Sequence, residues 1–125
     1  MNLTDEMQEQ MSAEGLLEWA IREWGDRFAV VTSFQLEGMV VLDMALRIAP
    51  GTRVITLDTG RLPVETYDMI ETVRAHYGAT VEMVAPASAE VERMTTRFGP
   101  NLFYESLAMR RACCEVRKVR PLARR

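Results

Sequence analysis

The feature that most constrains this chain is the alternation of two hydrophobic periods. Short β-rich runs at residues 28–32 (FAVVT), 53–57 (RVITL) and 80–84 (TVEMV) are separated by segments whose apolar residues recur every three or four positions. Leu16, Leu17, Ala20, Ile21 and Trp24 predict an amphipathic helix over residues 13–24, stopped at Gly25, with Trp19 and Trp24 facing inward. Residues 39–48 are apolar on nearly every side except Asp43 and Arg47, which are four apart and able to pair, so a buried helix is expected there. A third helix is expected over residues 63–77, with Pro63 in its first turn and Gly78 as a left-handed stop. Its apolar stripe is Val64, Tyr67, Ile70, Val73 and Tyr77. Another spans residues 88–98, with Val91, Met94 and Phe98 inward, and a last one runs from about residue 105 to 119, ending before Pro121. Strands that alternate with helices imply βαβ units, a parallel sheet and helices on both of its faces, so the fold class is α/β. Only three strands are visible, and a parallel sheet normally has both faces covered, so the sheet is expected to be incomplete at the C-terminus.

A hydrophobic content of 48% with 26% charged residues suits one soluble globular domain. The longest apolar stretch, residues 38–42, stops at Asp43, far short of the roughly 20 residues of a membrane span, so no membrane association is expected. Asp5, Glu6 and Glu9 stand where a secretory signal would need a basic start, which points to the cytoplasm. The net charge of -3 hides a basic tail: residues 110–125 carry seven basic side chains against the single Glu115. Such a run is either a solvated helix face or a binding patch. Nucleic acid is the weaker reading, because no aromatics are interleaved.

The two cysteines, Cys113 and Cys114, are neighbours. Adjacent Cα atoms lie about 3.8 Å apart, below the usual disulfide separation of roughly 4.4 to 6.8 Å, so a structural staple is not expected. Beside Arg110, Arg111, Arg117 and Lys118, the pair stands where positive charge suits the thiolate that ligates metals. Metal ligation and coincidence remain the two readings.

In an open parallel sheet, ligands bind beyond the C-terminal strand ends, here the loops at residues 33–37 and 58–62. The string SFQLEG brings a hydroxyl, an amide and a carboxylate to a helix N-terminus, whose free N–H groups favour an anion, and Gly38 permits close approach to the backbone. Asp58-Thr59-Gly60 follows the second strand directly. Each loop also reads as an ordinary βα turn whose polar residues cap the next helix.

The strings VTSFQLEGMVVLDMA, LDTGRLPVETY and FYESLAMRRACCEVRKVRPL, in that order, resemble the modified phosphate-binding loop, LDTG motif and tandem-cysteine segment of assimilatory adenylyl-sulfate reductases. That group is related to phosphoadenylyl-sulfate reductases and to the PP-loop ATP pyrophosphatases, so the resemblance implies an adenine nucleotide alpha hydrolase-like fold. Residues 1–125 then read as one nucleotide-binding α/β domain, the N-terminal half of a reductase, with a basic, cysteine-bearing helix near its end. By the same resemblance, Thr32, Ser33, Phe34, Gln35, Glu37 and Gly38 match the loop around the adenosine and phosphosulfate, and Leu57, Asp58, Thr59 and Gly60 line the nucleotide pocket. Cys113 and Cys114 match two of the four thiolate ligands of a 4Fe-4S cluster, and Lys118 the lysine between cluster and sulfate.

Charge supports the last assignment: a thiolate-bound cluster and a phosphosulfate are both anionic, so cations such as Arg117 and Lys118 are needed between them. Lys118 follows Cys114 by four residues, one helical turn. Arg110, Arg111 and Arg120 read as solvent-facing charges. The resemblance implies reduction of adenylyl sulfate to sulfite and AMP in sulfate assimilation and cysteine biosynthesis, with thioredoxin or glutaredoxin as partner. The family's second CxxC pair and its nucleophilic tail cysteine have no counterpart within these residues, so the chain is expected to be truncated, inactive alone and prone to association. Phosphoadenylyl sulfate as substrate, or a non-catalytic nucleotide-binding module, are the alternatives. A competition between the two nucleotides separates the first, and iron–sulfide reconstitution the second.

Overall fold

The computed structural model describes residues 4–125. Its elements are α1 (Asp5–Gln10), α2 (Ala13–Trp24), β1 (Ala29–Val31), α3 (Leu36–Ile48), β2 (Arg53–Leu57), α4 (Val64–Tyr77), β3 (Val81–Val84), α5 (Ser88–Phe98), α6 (Leu107–Cys114) and α7 (Arg120–Ala123). Short 3-10 turns occupy Gly25–Arg27 and Leu102–Tyr104, and a π-helical turn occupies Glu115–Val119. The strands form one sheet in the order β1-β2-β3, with Val30 opposite Val54 in the parallel β1–β2 pair. The α/β class follows, as the alternation of periods requires. No helix among the described residues is long and apolar enough to cross a membrane.

Two compact units are distinguished, Met1–Thr56 with Val64–Glu82, and Leu57–Pro63 with Met83–Arg125. In the first, Val30, Leu42, Ala45, Leu46, Val54, Ile70 and Val73 form the core together with Phe34, and Ile21, Tyr67 and Tyr77 pack against it. Each fully buried aliphatic side chain here contributes roughly 1.5–3 kcal/mol. Ser12 starts α2 by accepting the Gly15 N–H at 3.0 Å. Helix α1, capped by Thr4, was not expected; it buries no residue and so leaves no apolar stripe in the sequence to reveal it.

Three expectations need correction in this unit. Helix α3 is not buried on every side: it sinks Leu42, Ala45 and Leu46 and leaves Leu36, Val40 and Val41 exposed. A helix covering one side of a core buries one stripe whatever its composition. Val64 stays outside the α4 stripe, at 66% exposed, because it begins the helix rather than lying over the core. Trp24 is also exposed and stacks edge-on against Trp19 rather than facing inward.

Asp43 and Arg47 pair as their spacing predicts, at 2.9 Å. The Tyr77 hydroxyl also donates to Asp43, at 2.6 Å, joining α4 to α3. That hydrogen bond, with Arg47, holds the Asp43 carboxyl below its ordinary value, while Asp43 and burial push Tyr77 upward. A lowered carboxylate contributes stability that is present above its unfolded pKa and lost as pH falls through the folded one; a raised phenol contributes below its unfolded pKa and loses it as pH rises. Tyr77→Phe is therefore expected to lower Tm most between the unperturbed values of 3.8 and 10.0, with the difference from wild type shrinking outside that window. A Tm difference independent of pH would assign the loss to packing alone.

In the second unit, Met94, Leu102, Cys113 and Val116 form the core, with Val91, Phe98, Phe103 and Met109 against it. The inward positions of α5 are those expected. The last helix is not a single α-helix over residues 105–119. Ser106 caps α6 by accepting the Met109 N–H at 3.1 Å, the π-helical turn follows, and helix continues through a buried Pro121. Proline inside a regular α-helix clashes with the carbonyl four residues back, and a widened π turn just before it relieves that clash.

Candidate functional site

The loop after β1 lies in the first unit and is built tightly. Thr32 is buried, its N–H donates to the Ile55 carbonyl at 3.0 Å, and its hydroxyl oxygen accepts the Phe34 N–H at 3.0 Å. Phe34 has φ +63 and a buried ring, a left-handed conformation that a bulky residue adopts only where its surroundings enforce it. Here the ring is held in the core and the N–H by Thr32, and the chain turns into α3 at Leu36. The helix thus starts two residues before Gly38, and Leu36 and Glu37 lie in its first turn rather than in a loop. Gln35 caps α3 without a side-chain hydrogen bond, so first-turn amides remain to meet an anion. Ser33, Gln35 and Glu37 are exposed. Gly38 is required sterically: a Cβ there would stand 2.3 Å from the Thr32 hydroxyl oxygen.

The second unit holds the other sequence-derived site residues. The loop after β2 closes on itself through two local bonds: Gly60 N–H to the Asp58 carboxylate at 3.0 Å, and Arg61 N–H to the Thr59 hydroxyl at 3.1 Å. The Asp58 N–H donates to the Val84 carbonyl at 3.0 Å, which ties the loop to the end of β3. Thr59 is buried and Gly60, at φ +78, takes a conformation that suits glycine.

Thr59 shares one open cavity of about 500 Å³ with both cysteines and with Arg61, Arg110, Arg117 and Lys118; Leu62, Phe103 and Tyr104 complete its wall. Four cations, two sulfurs and no carboxylate among the lining residues make a cavity suited to an anionic occupant. Cys113 is buried and Cys114 half-buried, and both are free thiols. A second cavity of about 360 Å³ lies along Asp58, Thr59 and Gly60 toward Pro86 and Ser88, and Arg117 lines it too.

Several cavity residues escaped the sequence reading. Arg61, directly after the DTG string, donates to the Pro100 carbonyl at 3.1 Å and the Asn101 side chain at 2.8 Å, and lies over the Phe103 ring. Its position in LDTGR was the available signal. Arg110 is exposed, as expected, and also lines the sulfur cavity. Arg120 does more than face solvent: it pairs with Glu90 at 3.3 Å, and Arg124 does likewise at 3.5 Å, so part of the basic tail is neutralised within its own unit. Lys118 is exposed at the cavity, whereas Arg117 is only 8% exposed.

Residues with ligand chemistry fit half of a four-thiolate donor set: two sulfurs on one cavity wall, among cations that would balance an anionic cluster. Among the described residues no group of three or more His, Cys, Asp or Glu could hold a metal ion.

Comparison with known proteins agrees with this arrangement. Residues 27–125 match the phosphoadenosine phosphosulfate reductase domain. The chain is 41% identical over 115 residues to the adenosine 5'-phosphosulfate reductase of Allochromatium vinosum, covering 92% of this chain and 44% of that protein. It is 35% identical over 121 residues to the adenosine 5'-phosphosulfate reductase 2 of Bacillus subtilis, covering 96% of this chain and 48% of that one. The chain thus spans less than half the length of these relatives. A crystal structure of phosphoadenylyl-sulfate (PAPS) reductase from Candida auris, in a phosphate complex, superposes with a TM-score of 0.73 at 26% identity, over 99% of this chain and 63% of that one. Since the domain match takes in most of the residues, both loops and both cysteines, the chain belongs to the phosphoadenosine phosphosulfate reductase domain family.

Proposed function

We propose that this chain provides the nucleotide-binding half of a cytoplasmic adenylyl-sulfate reductase, which converts adenylyl sulfate to sulfite and AMP with thioredoxin or glutaredoxin as the thiol donor. The observation that carries the reading is the cavity in which Cys113, Cys114 and Thr59 meet Arg61, Arg110, Arg117 and Lys118. A phosphosulfate is an oxyanion pair, and charge-assisted hydrogen bonds from lysine and arginine are the strong way to hold it. Leu57, Asp58, Thr59 and Gly60 would line the nucleotide pocket. Thr32, Ser33, Phe34, Gln35, Glu37 and Gly38 would wrap the adenosine and phosphate, the uncapped start of α3 supplying N–H donors.

Cys113 and Cys114 would hold one side of a 4Fe-4S cluster, which when bound orients and polarises the sulfate beside it. Lys118 would neutralise charge on the sulfate oxygens. In the displacement, a cysteine thiolate elsewhere in the intact protein forms a bond to the sulfate sulfur, the sulfur–oxygen bond to AMP breaks, and AMP leaves. A donor dithiol then becomes a disulfide as it reduces the S-sulfocysteine and releases sulfite. Splitting one hard displacement in this way is covalent catalysis.

Calorimetric titration of the intact protein tests the reading. Lys118→Ala is expected to weaken adenylyl sulfate by about tenfold, the worth of one charge-assisted contact, and to leave AMP unchanged. An equal loss for both ligands would remove Lys118 from the sulfate. Phosphoadenylyl sulfate is the second reading, favoured by the structural likeness to a reductase of that nucleotide; competition between the two nucleotides separates them.

A further inference from the structure

The Asp58-Thr59-Gly60 loop is closed by its own side chains, and the Asp58 N–H ties its start to the end of β3. One long-range bond joins it to the cysteine-bearing helix: Arg117 Nη1 donates to the Thr59 carbonyl at 2.5 Å, across 58 residues of sequence. Arg117 is only 8% exposed, and its buried Nε has no hydrogen-bond partner among the described residues. Burying a guanidinium is costly unless its donors are used, and the bond to the Thr59 carbonyl offsets part of the cost to which the unpaired Nε adds. What the guanidinium holds is visible on both sides. Arg117 lines the cavity containing the sulfurs and also the one beside Asp58 and Ser88. A Cβ on Gly60 would stand 3.5 Å from Nη1, so the loop backbone passes close against the guanidinium.

We infer that Arg117 is a positioning residue, a latch that fixes the Thr59 backbone to the π-helical turn so that the nucleotide loop and the sulfur pair keep one register. The local geometry explains why the latch is Arg117. It lies four residues after Cys113 and is buried like it, while Lys118 lies four after Cys114 and stays at the exposed side of the cavity. The π turn carries both basic residues, so one short segment supplies an inward structural cation and an outward cation for ligand. Arginine suits the first role because its several donors can hold a carbonyl while its planar group fills the space beside it. As a latch, Arg117 stands on this geometry alone; its consequence for turnover rests on the function proposed above.

Amide hydrogen exchange of the intact protein, wild type against Arg117→Met and Arg117→Lys, provides the test. With the latch removed, the Gly60 and Arg61 amides are expected to exchange on the order of tenfold faster or more in the methionine variant, with lysine between the two, while amides of α5 and α6 keep their protection. For adenylyl sulfate, kcat is expected to fall more than KM rises, with lysine again recovering part of the loss. Unchanged loop exchange would overturn the inference, because the local turns would then suffice. Equal acceleration through α5 and α6 would overturn it as well, since Arg117 would be a general support of the unit. Should the methionine variant fail to fold, the lysine variant carries the same comparison. A loosened loop in a protein that binds no adenylyl sulfate would leave the latch standing and reject the proposed function instead.

Discussion

Cys114→Ser is expected to abolish iron and sulfide uptake by the intact protein under anaerobic reconstitution, with the brown chromophore lost rather than weakened. A hydroxyl is a far poorer ligand for iron than a thiolate, and the serine would remove one of the thiolates proposed to hold the cluster. The two cysteines differ in what else they do. Cys114 is half-buried, whereas Cys113 packs in the core with Met94, Leu102 and Val116. Cys113→Ser is therefore expected to lose the chromophore and also about 1–3 kcal/mol of stability, because it puts a hydroxyl among apolar side chains. Cys114→Ser should lose the chromophore at nearly unchanged Tm. A Cys114→Ser protein that takes up a full complement of iron would end the case for the paired ligands.

Alanine at position 38 is the second large effect. Its Cβ would stand 2.3 Å from the Thr32 hydroxyl oxygen, a separation no pair of such atoms sustains. Thr32 cannot simply swing away, because it is buried and that same oxygen accepts the Phe34 N–H. Phe34 depends on this bond to hold a left-handed backbone that costs roughly 1–3 kcal/mol. Either the first turn of α3 moves or the Thr32 bond breaks, and both displace the amides proposed to meet the phosphate. Gly38→Ala is thus expected to destabilise by about 1–3 kcal/mol, as overpacking does, and to weaken adenylyl sulfate by about tenfold or more. Combining it with Thr32→Ala should recover part of the stability, since the clash needs both side chains. Four Tm values complete that cycle, and additive losses would show that the Thr32 contact is not the cause.

The strands and most helices were legible because their signal is local. Residues 88–98 carry Val91, Met94 and Phe98 at helical spacing, and α5 occupies Ser88–Phe98 with those residues toward the core. The polar α1 carries no such stripe, and the apolar α3 carries more hydrophobic surface than one core contact can cover, so neither its burial nor its start could be read from composition. Pro121 marked a stop by the ordinary rule; the π turn that lets helix pass through it depends on packing around a buried proline. In the sulfur cavity, Cys113, Cys114 and Lys118 were identifiable from their string. Arg110 and Arg117 come from one run of basic residues, and spacing does not distinguish a cavity wall from a buried latch.

Periodicity, glycine and the ordered motifs already determined, in the chain as written, the α/β alternation, the polar loops after the first two strands and the pairing of two adjacent thiols with a run of basic residues. Those properties depend on neighbours a few residues apart. Tertiary structure alone decided that Arg117 reaches a carbonyl 58 residues away and that Gly38 must lack a side chain because of Thr32. The shared cavity of Arg61 and the sulfurs is of the same kind. Each is a distance between groups far apart in sequence or across a turn, and such distances exist only once the core has closed.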